Sequence, residues 1–193
     1  LNDLNLSFNE ESPLAPTSPY SKSKALADIL VLEYFNKYNL NVTISRSTNN
    51  YGEYQHPEKL IPKTVKTALN KENITIYGDG LNIRDWMYVT DHCSGIDVIL
   101  HKGKSGEVYN VGSNNELSNI EIVNMILNRL NVNEYNVIYT LDRPNDDTRY
   151  SLDCSKIKNE LGWIPTFDFE ESFNSTINWY KLNIDWINKI SKK

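Results

Sequence analysis

The chain has 193 residues, which is enough for one core of ordinary size or for one domain and part of another. Its composition, 39% apolar and 23% charged, is close to that of an ordinary soluble protein, and its net charge of −5 argues against a nucleic-acid partner. No apolar run approaches the ~20 residues of a membrane span, so we expect no membrane partner either.

The sequence opens with a loop and then a long helix. Residues 1–17 are rich in Asn, Asp, Ser and Pro, and because the chain starts at Leu1 we expect it to begin partway through a domain. Ser18 and Pro19 suit the N-cap and the first position of a helix that runs to about Tyr38. Its apolar residues cover more than one stripe, so this helix needs two partners, one of which could be a second subunit.

A tyrosine and a lysine lie on one face of this helix. Tyr20 and Lys24 are four residues apart, so they are neighbours on the helix surface. A nearby ammonium favours the phenolate, and such a pair would exchange protons with a substrate hydroxyl. In a chain with 12 Tyr, a Tyr-x-x-x-Lys is also expected roughly once by chance. The catalytic interpretation therefore depends on the position of the pair, in the first turn of a helix that precedes a buried strand.

Strands and helices alternate along the rest of the chain. Strands are predicted at 42–45, 74–77, 83–89, 108–111 and 137–141, and helices at 60–69, 91–101, 118–130, 155–161 and 168–190. This order predicts an α/β fold, in which ligands gather at the carboxyl ends of parallel strands. The polar segment 46–57 lies at such an end and is either a ligand loop or a polar loop without function. The sequence contains no Gly-x-Gly-x-x-Gly motif, so we do not expect the phosphate cradle of a dinucleotide in it.

The two cysteines bear on the cellular location of the protein. Cys93 and Cys154 are distant and form no Cys-x-x-Cys arrangement, so neither a disulfide framework nor a zinc site is expected. We expect no metal, and a cytoplasmic location because the cytosol keeps thiols reduced.

Several motifs resemble a known family. Ser18–Lys24 resembles the catalytic helix of extended short-chain dehydrogenases that act on nucleotide sugars. Further motifs, taken in this order, resemble the nucleotide-sugar 4,6-dehydratases, those of dTDP-glucose in particular: 49–52, 56–62, 77–80, 84–86, 142–144 and 147–150. The resemblance extends from about residue 13 to about residue 182.

The resemblance implies two domains and their ligands. Residues 1–70 would form mainly the C-terminal part of a Rossmann-type parallel sheet that binds NAD, with the catalytic helix. Residues 71–193 would form mainly a smaller α/β domain for the nucleotide-diphosphate sugar, dTDP-glucose above all, with elements returning to the Rossmann sheet. The full-length protein would be a homodimer.

The resemblance also implies a reaction, the conversion of dTDP-glucose to dTDP-4-keto-6-deoxyglucose with transient reduction of NAD. Tyr20 would accept the proton of the sugar 4-hydroxyl, Lys24 would favour the phenolate and hold the nicotinamide ribose, and Asn50 would contact the cofactor. In the family, an acid–base Asp/Glu pair drives the elimination from a Thr-Asp-Glu segment before the catalytic Tyr, and this sequence has no such segment. We therefore expect this chain alone to be inactive.

The substrate contacts implied by the resemblance form a larger set: Asn49, Lys59, Leu60, Thr75, Ile76, Tyr77, Arg84, Asn119, Asp142, Arg143, Pro144, Asn145 and Asp146. Arg84 would bind the diphosphate, because a guanidinium offers a charged fork of donors. At Asn145 and Asp146 the sequence departs from the usual Gly-His, so the contact there and the identity of the base or sugar stay open.

Other interpretations remain. The chain could be a non-catalytic fragment that binds a nucleotide sugar, or a related nucleotide-sugar epimerase or decarboxylase. Arg84 and Asp85 could be an ion pair at a sheet edge, and Trp86 is expected in the core rather than as a ligand platform.

Overall fold

Helices and strands alternate in the computed structural model, which describes residues 6–132, 137–142 and 147–191. The helices are α1 (Pro19–Tyr38), α2 (Leu60–Leu69), α3 (Val89–Lys102), α4 (Asn119–Leu130), α5 (Ser155–Leu161), α6 (Phe169–Leu182) and α7 (Ile184–Ile190). The strands are β1 (Ile44–Ser47), β2 (Asn49–Tyr51), β3 (Ile74–Tyr77), β4 (Ile83–Tyr88), β5 (Val108–Val111), β6 (Glu116–Ser118), β7 (Val137–Thr140) and β8 (Arg149–Tyr150). The predicted α/β class is confirmed.

Most strand pairs are parallel. β1 pairs with β5, and β3 pairs with β7, both in parallel. β4 is the strand with the most neighbours among those described, because β2 and β8 pair with it in parallel and β6 pairs with it antiparallel. Each of these pairs joins segments that are distant in the sequence, as expected where crossover connections link parallel strands.

Capping residues fix several helix ends as predicted. The Ser18 side chain accepts a hydrogen bond from the Ser21 N–H at the start of α1, with Pro19 in the first position. Ser118 and Glu121 form a capping box at the start of α4, where the helix predicted at 118–130 begins. At the end of α5, Gly162 has φ 72°, the left-handed conformation that glycine adopts without strain.

Some predicted boundaries are wrong. The helix predicted at 91–101 begins two residues earlier, at Val89, so Thr90 lies inside α3 and is not its N-cap. The first strand lies at Ile44–Ser47 instead of 42–45, where its register is set by pairing with β5. The predicted helix 168–190 is two helices, α6 and α7, because Asn183 leaves the helical conformation with φ −115° and ψ 35°.

Short strands account for the elements that the sequence did not predict. Asn49–Tyr51 lies in the segment expected to be a loop, yet it pairs residue by residue with Trp86–Tyr88 of β4. β6 and β8 pair with the other part of β4, around Ile83 and Arg84. Three or fewer residues carry too little periodicity to signal a strand, so these segments become strands only because β4 lies beside them.

The main hydrophobic cluster lies where α2, α4 and α6 meet. Its fully buried members include Ile61 of α2, Ile122 of α4 and Phe173 of α6. These buried side chains pack α2 against α4 and α6, and Trp86 of β4 belongs to the same cluster. The apolar spacing of α2 predicts Ile61, Val65, Ala68 and Leu69 on its inward face. The first three are buried, whereas Leu69, at the end of the helix, is half-buried.

The long helix α1 lies outside this core. None of its residues is buried, although it was expected to be covered on more than one side. Leu26 is 64% exposed and Leu30 is 53% exposed. Within the described residues, an ion pair between Asp28 and Arg46, 2.9 Å long, ties α1 to β1. None of the helices that the structure describes is long and apolar enough to cross a membrane.

Candidate active site

A polar pocket of about 630 Å³ lies between the first turn of α2 and the ends of several strands. Asn49 and Asn50 follow the carboxyl end of β1, Tyr77 ends β3, and Asp142 follows β7. The volume is within the range of small-molecule sites. The pocket is therefore at the position where the α/β class places its ligands.

The pocket brings together ten of the residues that the resemblance implied, from segments spread over about a hundred positions: Asn49, Asn50, Lys59, Leu60, Thr75, Ile76, Tyr77, Arg84, Asn119 and Asp142. Arg143, Pro144, Asn145 and Asp146 lie outside the described residues. Further lining residues were not predicted as contacts: Gln55, Glu58, Lys63, Asn82 and Trp86.

One wall of this pocket is formed by side chains that share one face of β4 and its neighbour β2. Arg84 and Trp86 are two apart on β4, so their side chains point to the same face of the sheet. Asn49 pairs directly with Trp86, which brings its amide to that face as well. Trp86 is only 4% exposed and its indole N–H donates to the Leu117 carbonyl oxygen, so the expectation that it belongs to the core is confirmed.

Where Tyr77 and Asp142 line the pocket, the turn after β3 depends on a glycine. Gly78 follows Tyr77 with φ 59°, a conformation that side chains disfavour. A Cβ built there would lie 2.9 Å from the carboxyl carbon of Asp142, which packs against the turn. A residue other than glycine at 78 would therefore force the Asp142 side chain to shift.

Asp85, next to Arg84, faces away from the pocket and holds a loop. Its carboxylate is 1% exposed and accepts hydrogen bonds from the backbone N–H groups of Ser113, at 2.9 Å, and Asn115, at 2.8 Å. The Ser113 hydroxyl donates a third, also at 2.9 Å. The carboxylate thus fixes residues 113–115 beside β4 and supports the register in which Arg84 is presented.

The cations that line the pocket outnumber its carboxylates by one. Arg84, Lys59 and Lys63 line it, against the carboxylates Glu58 and Asp142. The Lys59 ammonium is 3.2 Å from Glu58. α2 presents its N-terminal turn here without an acidic residue and without a side-chain cap. A helix N-terminus carries partial positive charge, so the turn adds to the field of the lysines.

Tyr20 and Lys24 lie outside the walls of this pocket. Tyr20 is 74% exposed in the first turn of α1, and Lys24, one turn along on the same face, is exposed too. Tyr20 lies near Tyr150, a phenol whose pKa is raised mainly by burial. Tyr150 in turn pairs with Arg84 across β8 and β4. Tyr20 thus lies on the side of the molecule where β8 adjoins the wall of the pocket.

Arg149 has a structural partner. It is 3% exposed, and its guanidinium donates to both carboxylate oxygens of Glu116 at 2.6 Å and also to the Leu6 carbonyl oxygen. This fork joins β8 to β6 across β4. Both cysteines are free, and the residues that the structure describes hold no cluster of three or more metal-ligating side chains.

The fold and the pocket define an α/β protein with a polar candidate site, lined by cations, at the carboxyl ends of its strands. Residues 3–176 match the family model described as GDP-mannose 4,6 dehydratase. The chain belongs to that family, and the resemblance noted in the sequence is confirmed.

Relatives and solved structures support this assignment. A dTDP-glucose 4,6-dehydratase of Xanthomonas campestris pv. campestris is 45% identical over 189 residues, which are 93% of this chain and 54% of that protein. The crystal structure of DesIV, a dTDP-glucose 4,6-dehydratase from Streptomyces venezuelae with NAD bound, superposes with a TM-score of 0.93 at 43% identity, over 95% of this chain and 57% of that one.

A structure with another activity is also similar. UDP-glucose 4-epimerase of Thermotoga maritima, solved with UDP-glucose, has a TM-score of 0.86 at 25% identity, over 94% of this chain and 60% of that one. The chain therefore spans a little more than half the length of the proteins that it matches.

Proposed function

We propose that this chain supplies the nucleotide-sugar pocket and the Tyr/Lys pair of an NAD-dependent dTDP-glucose 4,6-dehydratase. The observation that carries the proposal is the pocket itself, because ten residues implied by the resemblance converge there from separate strands and from α2. In support, relatives bearing that name are 41% to 45% identical to the chain.

In this proposal the pocket holds the sugar nucleotide through complementary charge. Arg84, 8% exposed and rigid on β4, binds the diphosphate, for which a guanidinium fork is well suited. The amides of Asn49 and Asn119 and the carboxylate of Asp142 bind hydroxyls or the base. Lys59, Leu60 and residues 75–77 complete the contacts, and Arg143, Pro144, Asn145 and Asp146 are proposed to add to them.

Tyr20 is the proposed base. As phenolate it accepts the proton of the sugar 4-hydroxyl, and Lys24 stabilises that anion. The resulting 4-keto group acidifies the proton at C5, so that loss of this proton and of the C6 hydroxyl releases water. We assign no described residue to this elimination.

The residues present fit one end of an NAD molecule. Asn50 lines the pocket, and its side-chain oxygen is buried without a hydrogen-bond partner among the described residues, as expected of a group that awaits a ligand. Asn50, Tyr20 and Lys24 would hold the nicotinamide end. When bound there, NAD supplies the hydride acceptor for oxidation at C4 and the donor for reduction at C6.

An epimerase is the second candidate, favoured by the similarity to the Thermotoga maritima protein. The same pocket and Tyr/Lys pair would serve a reaction at C4 without loss of water. A non-catalytic nucleotide-sugar-binding chain is the third. The products separate these candidates, since only the dehydratase releases water from the sugar.

We further propose that the full-length protein is a cytoplasmic homodimer that pairs through α1. The exposed apolar residues of this helix, Leu26, Ile29, Leu30 and Tyr34 among them, form the surface for a second copy. The free Cys93 and Cys154 suit a reducing compartment.

The test has a binding step and a turnover step. Calorimetry on the 193-residue chain should show dTDP-glucose binding more tightly than GDP-mannose, with no turnover of either sugar by the chain alone. The chain should gain turnover when it is fused to the remaining part of the Xanthomonas relative, and mass spectrometry should then show loss of water from dTDP-glucose.

Tyr20→Phe in that fusion should lower the rate at least ~100-fold, because it removes the proton acceptor. Tyr38→Phe is the matched control, since Tyr38 lies at the far end of the same helix and is also exposed, at 54%. Normal turnover by the Tyr20 variant would refute the assignment of the base, and failure of the chain to bind any sugar nucleotide would refute the proposed function.

A further inference from the structure

Lys63 lines the candidate pocket but was not among the predicted contacts. It lies in the first turn of α2, four residues after Lys59, so both lysines lie on the helix face that borders the pocket. Its ammonium is 5.9 Å from the centre of the Tyr77 ring, at the end of β3. The side chain is half-buried, which limits the directions in which its charge can point.

Lys63 differs from Lys59 in its partners. Lys59 lies 3.2 Å from the Glu58 carboxylate and so has part of its charge compensated. No carboxylate lies within ion-pair distance of Lys63 in the part of the chain that the structure describes. A half-buried ammonium without a counterion is destabilised by its partial loss of hydration, and an anion bound beside it would offset that cost.

The position of Lys63 is also locally unfavourable. Cations near a helix N-terminus oppose the partial positive charge of the free N–H groups, and acidic residues are preferred there. The first turn of α2 has no acidic residue. Residues that conflict with the charge preference of a helix end are expected mainly at functional sites. An anionic ligand in the pocket would reverse the effect, because it would be attracted by both the lysine and the helix terminus.

We propose that Lys63 is a further binding residue of this pocket, a second cation that acts with Arg84 on the diphosphate of the nucleotide sugar. The inference rests on the proposed function. A neutral base or sugar would not need this concentration of positive charge, whereas a diphosphate carries at least two negative charges across several oxygens.

The experiment compares dTDP with thymidine on the full 193-residue chain. Calorimetry measures dTDP, and ligand-observed NMR measures the uncharged thymidine. Lys63→Met keeps the length of the side chain and removes its charge. We expect dTDP to bind about tenfold more weakly, the effect of one charge-assisted hydrogen bond, with thymidine unchanged. Lys63→Arg should restore most of the affinity for dTDP.

Lys66→Met is the control, since Lys66 lies on the same helix but not in the pocket, and it should leave both affinities unchanged. The difference between the wild type and K63M should shrink as ionic strength is raised, because salt screens the charge.

Three outcomes would overturn the inference. Unchanged dTDP affinity in K63M would remove Lys63 from the site, with the proposed function intact. Equal losses of affinity for dTDP and for thymidine would indicate that Lys63 contacts the base and not the diphosphate. A wild-type chain that binds neither dTDP nor thymidine would overturn both this inference and the proposed function.

Discussion

Replacing Glu116 by Gln should destabilise the fold by about 3 kcal/mol, because the change removes the negative charge that faces a buried arginine. Arg149 is 3% exposed and donates to both oxygens of Glu116 at 2.6 Å. Removing one partner of a buried ion pair typically costs ~3–5 kcal/mol, and the side chain of Glu116 is 27% exposed, so the lower end applies.

The pH dependence of this loss has a defined sign. Arg149 holds the pKa of Glu116 below its usual value in the folded chain. The unfolded chain then binds the proton more readily, so the stabilisation is present above the unfolded pKa of about 4.3 and is lost as pH falls through the lower folded pKa. Below that value, wild type and Glu116→Gln should converge.

Urea unfolding followed by circular dichroism at pH 7 and near pH 3 measures both effects. Glu33→Gln, which changes an exposed carboxylate of α1, is the control and should match the wild type at both pH values. Equal stability of Glu116→Gln and wild type at pH 7, or a difference that persists undiminished in acid, would refute this account of the ion pair.

Two further predictions concern the loop beside β4 and the surface of α1. Asp85→Ala should cost about 3 kcal/mol in urea unfolding, since it leaves the half-buried N–H groups of Ser113 and Asn115 without their acceptor, and a loss under about 1 kcal/mol would contradict that role. Leu30→Glu should shift the full-length protein from dimer to monomer in analytical ultracentrifugation without loss of helical circular dichroism, and a dimer that survives would place the interface elsewhere.

Local sequence signals predicted much of the fold. Ser18 with Pro19 and Ser118 with Glu121 start their helices where expected, because a cap is made by residues that are neighbours in the chain. The strands 74–77 and 108–111 also agree, since each has enough β-branched or aromatic residues to be recognised. The short strands β2, β6 and β8 depend on a distant partner, and no local pattern reveals that.

The candidate site was predicted through its motifs rather than through chemistry alone. The motifs supplied Asn49, Arg84 and Asp142, and the structure brings them to one pocket. Lys63 carried a weaker signal, a second lysine one helical turn after Lys59. That signal becomes meaningful only because the N-terminal turn of α2 borders the pocket. The exposure of α1 could not be derived from its composition. The composition predicts that the helix packs against apolar partners, but it does not say which ones they are.

The pairing of β4 bears on when the pocket can form during synthesis. Its hydrogen-bonded neighbours come from residues 49–51, 116–118 and 149–150, so the last of them leaves the ribosome some sixty residues after β4 itself. Contacts this distant in sequence form slowly and late. A nascent chain that stops before residue 150 therefore carries Arg84 on an incomplete sheet. A nucleotide sugar present during translation cannot stabilise such a chain by binding, because the pocket has not yet formed.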